Sequence, residues 1–358
     1  YRVEIDGIIS AVEKSSGIDS RMLLKYIVSA GSSLLEVGVE SRLREALSRK
    51  LEQAAKQLSN GSSGTDIAIR TISMKDQKLL AVKAGTLNVR AGPSAESELI
   101  TQLLAGEQLG AFHLHNGWYL VRMSDGYCGW VRSSGVLGVN RRNLEDYSRK
   151  VNKMVVSNIA PVYSEPDSRS SRVEELVAGT RIASDNTGDK RFLRVNFLSG
   201  GTGFIPARDT LDIRADLPSP ENVLRRAAAF MGVPYLWGGT TSRGFDCSGL
   251  VRRVFDMEGV VLPRDSDLQA EAVLGIDPAE AIDNRPGSLL FFGETGTINH
   301  VAISAGGGNF LHCRGMVRID SFELPDAPFS RKDVRKAGLV LTGESPPKRR
   351  QGGSDLLF

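Results

Sequence analysis

Apolar positions change their spacing several times along the chain, and each change marks a segment. Between Ser41 and Leu58, Leu43, Leu47, Leu51, Ala54, Ala55 and Leu58 recur every three or four residues, the period of a helix with one apolar face. Asp19 and Ser20 stand where they would cap a further helix reaching Val28, and Ser59 to Gly64 has the composition of a linker. Residues 1–70 are therefore expected to form a helical N-terminal segment. From about Leu79 the apolar runs shorten to strand length, broken by Gly, Pro, Asn and Asp, and one order of signals then appears twice. Asn88 to Pro93 matches Pro161 to Pro166, Leu104-Ala105-Gly106 matches Val177-Ala178-Gly179, and Gly129-Trp130-Val131 matches Gly203-Phe204-Ile205. An offset of 73 or 74 residues at all three anchors predicts two copies of a small all-β unit, over 77–138 and 150–214. Ser219, with Pro220 behind it, opens a helix that Gly232 stops, and a last unit is expected over 218–342. The tail, 343–358, has the Pro, Gly and Lys/Arg content of disordered chain.

Composition narrows the function classes. The 358 residues carry 45 Lys and Arg against 42 Asp and Glu, a net charge of +3, which excludes a globally basic nucleic-acid binder. No apolar run approaches the roughly 18 residues of a transmembrane helix. Three scattered cysteines are too few for a disulfide framework. The chain opens on Tyr1, from which a removed leader and export to a cell envelope or periplasm are expected, with the cytoplasm as the alternative.

The chemistry concentrates near the C-terminus. Cys247 follows Gly244-Phe245-Asp246 and opens a segment whose Leu250, Val251, Val254 and Phe255 form one helical face, so its thiol is placed at a helix N-terminus, where the dipole favours thiolate. Asn299 to Ser304 alternates as a half-buried strand with His300 on one face. If Ala305-Gly306-Gly307 is the turn of a hairpin, His300 faces His312 directly across it, giving a nucleophile, a base and an orienting group. His113 and His115 alternate on one strand face, but no third ligand stands near them, and no metal site or cofactor is expected. Cys128 and Cys313 are expected to be small buried residues.

Two resemblances extend this reading. The first all-β copy, with Asn88 to Pro93, Leu104 to Glu107, Trp118 to Val121 and Gly129 to Val131, is similar to bacterial Src-homology-3-type barrels, and the other copy resembles a degraded form of the same barrel. Gly232-Val233-Pro234-Tyr235-Leu236-Trp237-Gly238-Gly239 and Gly244 to Val251, then Leu262 to Ser266, Gly287 to Phe292 and Asn299 to Ile303, resemble the NlpC-type cysteine peptidases. The fold class implied is multidomain: a papain-like α+β catalytic domain, two small SH3-like barrels and the helical N-terminal segment. The resemblance implies that Cys247 is the nucleophile, His300 the base, His312 its orienting partner, and Tyr235 a donor to the oxyanion. It further implies hydrolysis of the γ-D-glutamyl bond to a diamino acid, diaminopimelate or lysine, in peptidoglycan stem peptides bearing a free N-terminal L-alanine. Asp246, Ser248, Asp265 and Ser266 lie in the motifs matching the substrate site, and Glu107 and Tyr127 of the first barrel resemble residues that close over the amine. The alternatives are a hydrolase of intact peptidoglycan that uses the barrels as wall-binding modules, and a non-catalytic wall-binding adaptor.

Overall fold

In the computed structural model, residues 7–11, 19–29, 34–40, 66–73, 75, 77–188, 190–213 and 219–340 are described. The expected Ser41–Leu58 helix, the 59–64 linker and the 343–358 tail lie outside them.

Among its described residues the N-terminal segment is helical at 7–11 and otherwise departs from its expected helical character. Asp19 does act as a cap, accepting from the Arg21 N–H, but it caps a single turn, Ser20–Met22, and the chain then enters a strand. Lys25–Ser29 pairs antiparallel with Leu34–Glu40, which pairs in parallel with Asp66–Ile72. The reason is tertiary: Leu24, Tyr26 and Ile72 bury against Trp118, Leu120, Cys128 and Trp130 of the next domain, and that contact outweighs local helix preference. Tyr26 also stacks on His113 with ring centroids 4.0 Å apart.

Two seven-stranded antiparallel sheets follow, consistent with SH3-like domains. The first spans Lys78–Gly138 and the second Val151–Asp212, and their strand order is the same when each is counted from its own first strand. The repeat is structural as well as sequential: Arg90 pairs with Trp130 in the first, and Tyr163 pairs with Phe204 in the second. Gly129 has a steric cause, since a Cβ there would stand 2.6 Å from Val89 and 2.7 Å from Ile100.

The C-terminal domain is α+β. Its helices are α1 (Pro220–Ala228), α2 (Cys247–Met257), α3 (Ser266–Glu271) and α4 (Pro278–Asn284). Its strands are β1 (Leu274–Ile276), β2 (Leu289–Phe292), β3 (His300–Gly306), β4 (Asn309–Arg314), β5 (Met316–Ser321) and β6 (Val334–Leu339), in the sheet order β1-β6-β2-β3-β4-β5. Strand alternation divides the core. Leu289, Phe291, Val301, Ile303, Leu311, Cys313 and Val317 pack with Cys247, Leu250, Val251 and Val254 of α2, while Leu290, Phe292, Ala302, Phe310 and Ala337 pack with Ala281 and Ile282 of α4. Ser219 caps α1 through the Asn222 N–H, at 3.2 Å.

Candidate active site

Cys247 is the first residue of α2. The Asp246 carboxylate caps this helix by accepting from Gly249 N–H at 2.7 Å, and it also accepts from Gly238 N–H at 3.0 Å, which binds the Gly238-Gly239 loop to the helix. The Cys247 sulfur is buried where the peptide N–H groups of Val301 and Ser248 can donate to it, so it sits against the His300–Val301 peptide at the head of β3. The expected drift toward thiolate does not occur. Burial, and then the charge of Asp246, push the thiol up to about 11, outweighing the helix terminus. Tyr235 lies close enough that Cys247, after burial, contributes to raising its phenol to about 12, so the phenol is a neutral donor.

The hairpin register differs from the expectation by one step of two residues. Ile303 pairs with Leu311 and Gly306 with Asn309, so the turn is Gly307-Gly308, both at positive φ, and a bulge between Ser304 and Gly306 takes up one residue. His300 is therefore not directly opposite His312 but diagonal to it. Parity is unchanged, and the two imidazoles meet with His300 Nε2 and His312 Nδ1 2.8 Å apart. His312, wholly buried, has its Nε2 2.9 Å from Asp320 Oδ2 on β5, and Asp320 Oδ1 accepts from Arg318 Nε at 3.0 Å and Nη2 at 2.6 Å. His300, His312 and Asp320 thus form a polar row across three neighbouring strands. Phe329 stacks on the His300 ring at 4.9 Å, and Phe292 and Phe310 flank the pair. Burial in this aromatic surround lowers His300 to about 3, with His312 and Arg314 adding to the shift. His312 is also lowered, chiefly by burial, against the opposing pull of Asp320. At rest both imidazoles are neutral, and so is the thiol.

The expected substrate carboxylates separate into two kinds. Asp246 is turned inward and saturated: beyond its cap it receives two N–H groups of Arg264, and Ser248 accepts from Arg264 Nη1 at 2.9 Å while donating toward Asp246 at 3.3 Å. Asp265 stands at the start of α3 without capping it, and its Oδ2 accepts the Tyr127 hydroxyl at 2.9 Å and Arg21 Nη1 at 2.9 Å. Ser266, the first residue of α3, is buried beside it. Tyr127 is delivered by a loop fixed on α2: Asp125 Oδ1 accepts from the Tyr127 N–H at 3.0 Å, and Asp125 pairs with Arg252 at 2.6 Å. Burial first, then Asp265, raises the Tyr127 phenol, which stays a donor. Glu107 is half-buried in the first β domain. It follows the Leu104–Gly106 turn, whose Ala105 packs on the core of the second β domain, and its backbone closes that turn through the Leu104 carbonyl; from the first β domain Glu98 accepts from Trp237 Nε1 at 2.7 Å.

Sequence reasoning passes over Arg21, Glu98, Arg264, Asp320 and Phe329. Each acts on a partner far away in the chain or on another strand, and only Arg264, inside the Leu262 to Ser266 motif, carries a local signal.

Comparison with known proteins places the C-terminal and first β domains among known families. Residues 232–334 match the model of the NlpC/P60 family, and residues 89–136 match the bacterial dipeptidyl-peptidase Sh3 domain. The chain carries an NlpC/P60 domain behind a bacterial Sh3 domain. The chain is 28% identical over 238 residues to a gamma-D-glutamyl-L-lysine dipeptidyl-peptidase of Bacillus subtilis, covering 63% of the chain and 76% of that protein. It is 28% identical over 264 residues to dipeptidyl-peptidase 6 of Lysinibacillus sphaericus, covering 69% and 92%. Over 133 residues it is 42% identical to the peptidoglycan endopeptidase RipB of Mycobacterium tuberculosis, covering 34% and 50%. The crystal structure of an NlpC/P60 family protein from Bacillus cereus shares its fold at a TM-score of 0.64 with 20% identity, over 73% of this chain and 99% of that one.

Proposed function

We propose that the protein is a papain-like cysteine peptidase that cleaves the γ-D-glutamyl bond to diaminopimelate or lysine in peptidoglycan stem peptides, and that it requires a free N-terminal L-alanine. The observation that carries the reading is the Tyr127–Asp265 bond, by which a side chain of the first SH3-like barrel meets a motif carboxylate of the catalytic domain. A cleft walled by a second domain suits a short peptide, and a carboxylate beside a phenol suits its ammonium. Two relatives named as peptidases of this specificity or type align across both domains.

In this mechanism His300 takes the Cys247 proton as the sulfur attacks the γ-carbonyl, because neither group is charged at rest. The Cys247 N–H and the Tyr235 hydroxyl would donate to the oxyanion. His300 then returns the proton to the departing amine of the diamino acid, and water resolves the thioester. Asp246, Ser248 and Arg264 hold the nucleophile helix, and Asp265 with Tyr127, beside Ser266, would receive the ammonium. Glu107 of the first barrel would help to close over the same amine.

The test is the ratio of kcat/KM for L-Ala-γ-D-Glu-diaminopimelate to that for its N-acetylated form. A ratio of 100 or more, about 2.7 kcal/mol, is the result expected when a charged amine loses its carboxylate; a ratio near 1 would overturn the amine requirement. The RipB similarity, confined to the catalytic part, favours as second reading a hydrolase of intact peptidoglycan, for which acetylated and polymeric substrates would be turned over equally well.

A further inference from the structure

The row His300–His312–Asp320–Arg318 is longer than a nucleophile, a base and one orienting group require. Asp320 is 4% exposed and sits on β5, the edge strand, two strands away from His300. We propose that Asp320 is a positioning residue that locks the tautomers of both histidines, so that the nitrogen of His300 left free to accept a proton is Nδ1. This rests on the assignment of His300 as the base.

Asp320 Oδ1 is occupied by two N–H groups of Arg318, so its carboxylate offers His312 only an acceptor, Oδ2. A neutral imidazole has one N–H, and His312 must therefore carry it on Nε2 and present the bare Nδ1 to His300. The 2.8 Å contact between His312 Nδ1 and His300 Nε2 then needs its proton on His300 Nε2. His300 Nδ1 is left with its lone pair. When Cys247 attacks, the thiol proton moves to Nδ1, the imidazolium keeps its Nε2–H donated to His312, and no proton need pass along the row. Of the charged groups beside the pair, Arg314 and Arg318 are both cationic and neither can accept from His312, so Asp320 alone among the described neighbours sets its direction.

An amide in place of the carboxylate reverses the row. In D320N, Arg318 holds the amide oxygen and turns Nδ2 toward His312, which must then accept at Nε2, donate from Nδ1 and oblige His300 to accept at Nε2. His300 then carries its proton on Nδ1, facing the thiol, and is no longer a base. The assignment predicts that D320N lowers kcat on the order of 10³-fold with KM changed less than threefold. It also predicts that R318L in the same background, which frees the amide to rotate, restores at least tenfold of the loss. Nitrogen-15 spectra of histidine-labelled protein read the tautomers independently of turnover: Nε2–H at both positions in the wild type, Nδ1–H at both in D320N. His113 and His115 serve as internal references. Unchanged tautomers in D320N, or a loss that R318L leaves as it was, overturns the lock. Failure of the underlying reading is distinct: H300A would then retain turnover, whereas the spectra would still report the direction of the row.

Discussion

Arg264 offers the sharpest energetic test of how the nucleophile is held. Its side chain is 2% exposed and its partner Asp246 is 7% exposed; the guanidinium gives two N–H groups to that carboxylate, a third to Ser248, and its Nε–H to the Ile100 carbonyl of the first barrel at 3.0 Å. Arg264→Met preserves much of the volume but leaves Asp246 buried with only the Gly249 and Gly238 N–H groups and the Ser248 hydroxyl. An uncompensated buried charge costs about 3–5 kcal/mol. Asp246→Asn strands the guanidinium instead and should cost a similar amount. The double variant removes both charges and loses chiefly part of the helix cap, about 1 kcal/mol, plus the bond to Ile100. Urea unfolding should therefore give a coupling of at least ~2 kcal/mol between the two sites. Each single variant should melt roughly 6–20 °C lower, on the 2–4 °C per kcal/mol of a domain of 150–250 residues. Additive single effects, with coupling below ~0.5 kcal/mol, would refute the view that this pair holds the Cys247 helix in place.

The remaining predictions concern the site chemistry. With the Cys247 thiol near 11, inactivation by iodoacetamide should quicken about tenfold per pH unit from 7 to 9; a plateau below pH 8 would mean a preformed thiolate. Phe329→Ala removes the ring stacked on His300 and admits water, so the base should rise from about 3 toward 6.5 and the acid limb of kcat/KM should move to higher pH; an unmoved limb contradicts the shielding role. His300 and His312 are both depressed in the folded state, so the unfolded chain binds more protons below about 6.5, and their stabilisation, full above that pH, should fade in urea titrations as pH drops toward 3. Tyr127→Phe should raise KM for the free-amine peptide about tenfold, the worth of one hydrogen bond to a charged group, while leaving the N-acetylated peptide unaffected.

Much of this arrangement is readable in the chain itself because its signals are local or periodic. The helix after Cys247 announces itself by Leu250, Val251, Val254 and Phe255, and the repeated β unit by anchors that the sheets pair alike. The hairpin turn is displaced by one residue from its expected place because three consecutive glycines fit more than one turn equally well, although strand parity still puts both histidines on one face. The N-terminal sheet escapes local reading for a different reason: Leu34–Glu40 pairs in parallel with a strand some 30 residues later, and such pairing leaves no trace in local spacing. Thiol ionisation goes against the expectation because a helix terminus is visible in sequence, whereas the burial and the Asp246 charge that overcome it exist only in the fold. Arg21 and Asp320 belong to the same class, since their partners Asp265 and His312 are supplied by topology.

The central claim, that Cys247 performs γ-D-glutamyl peptide hydrolysis in a cleft gated by the first barrel, is most directly tested by mass spectrometry of products. Wild-type protein and Cys247→Ala would each be incubated with L-Ala-γ-D-Glu-diaminopimelate and, separately, with intact sacculi. The account predicts L-Ala-D-Glu and free diaminopimelate from the short peptide with the wild type alone, and no release from sacculi. Release from sacculi at a comparable rate, or products that persist in Cys247→Ala, would contradict it.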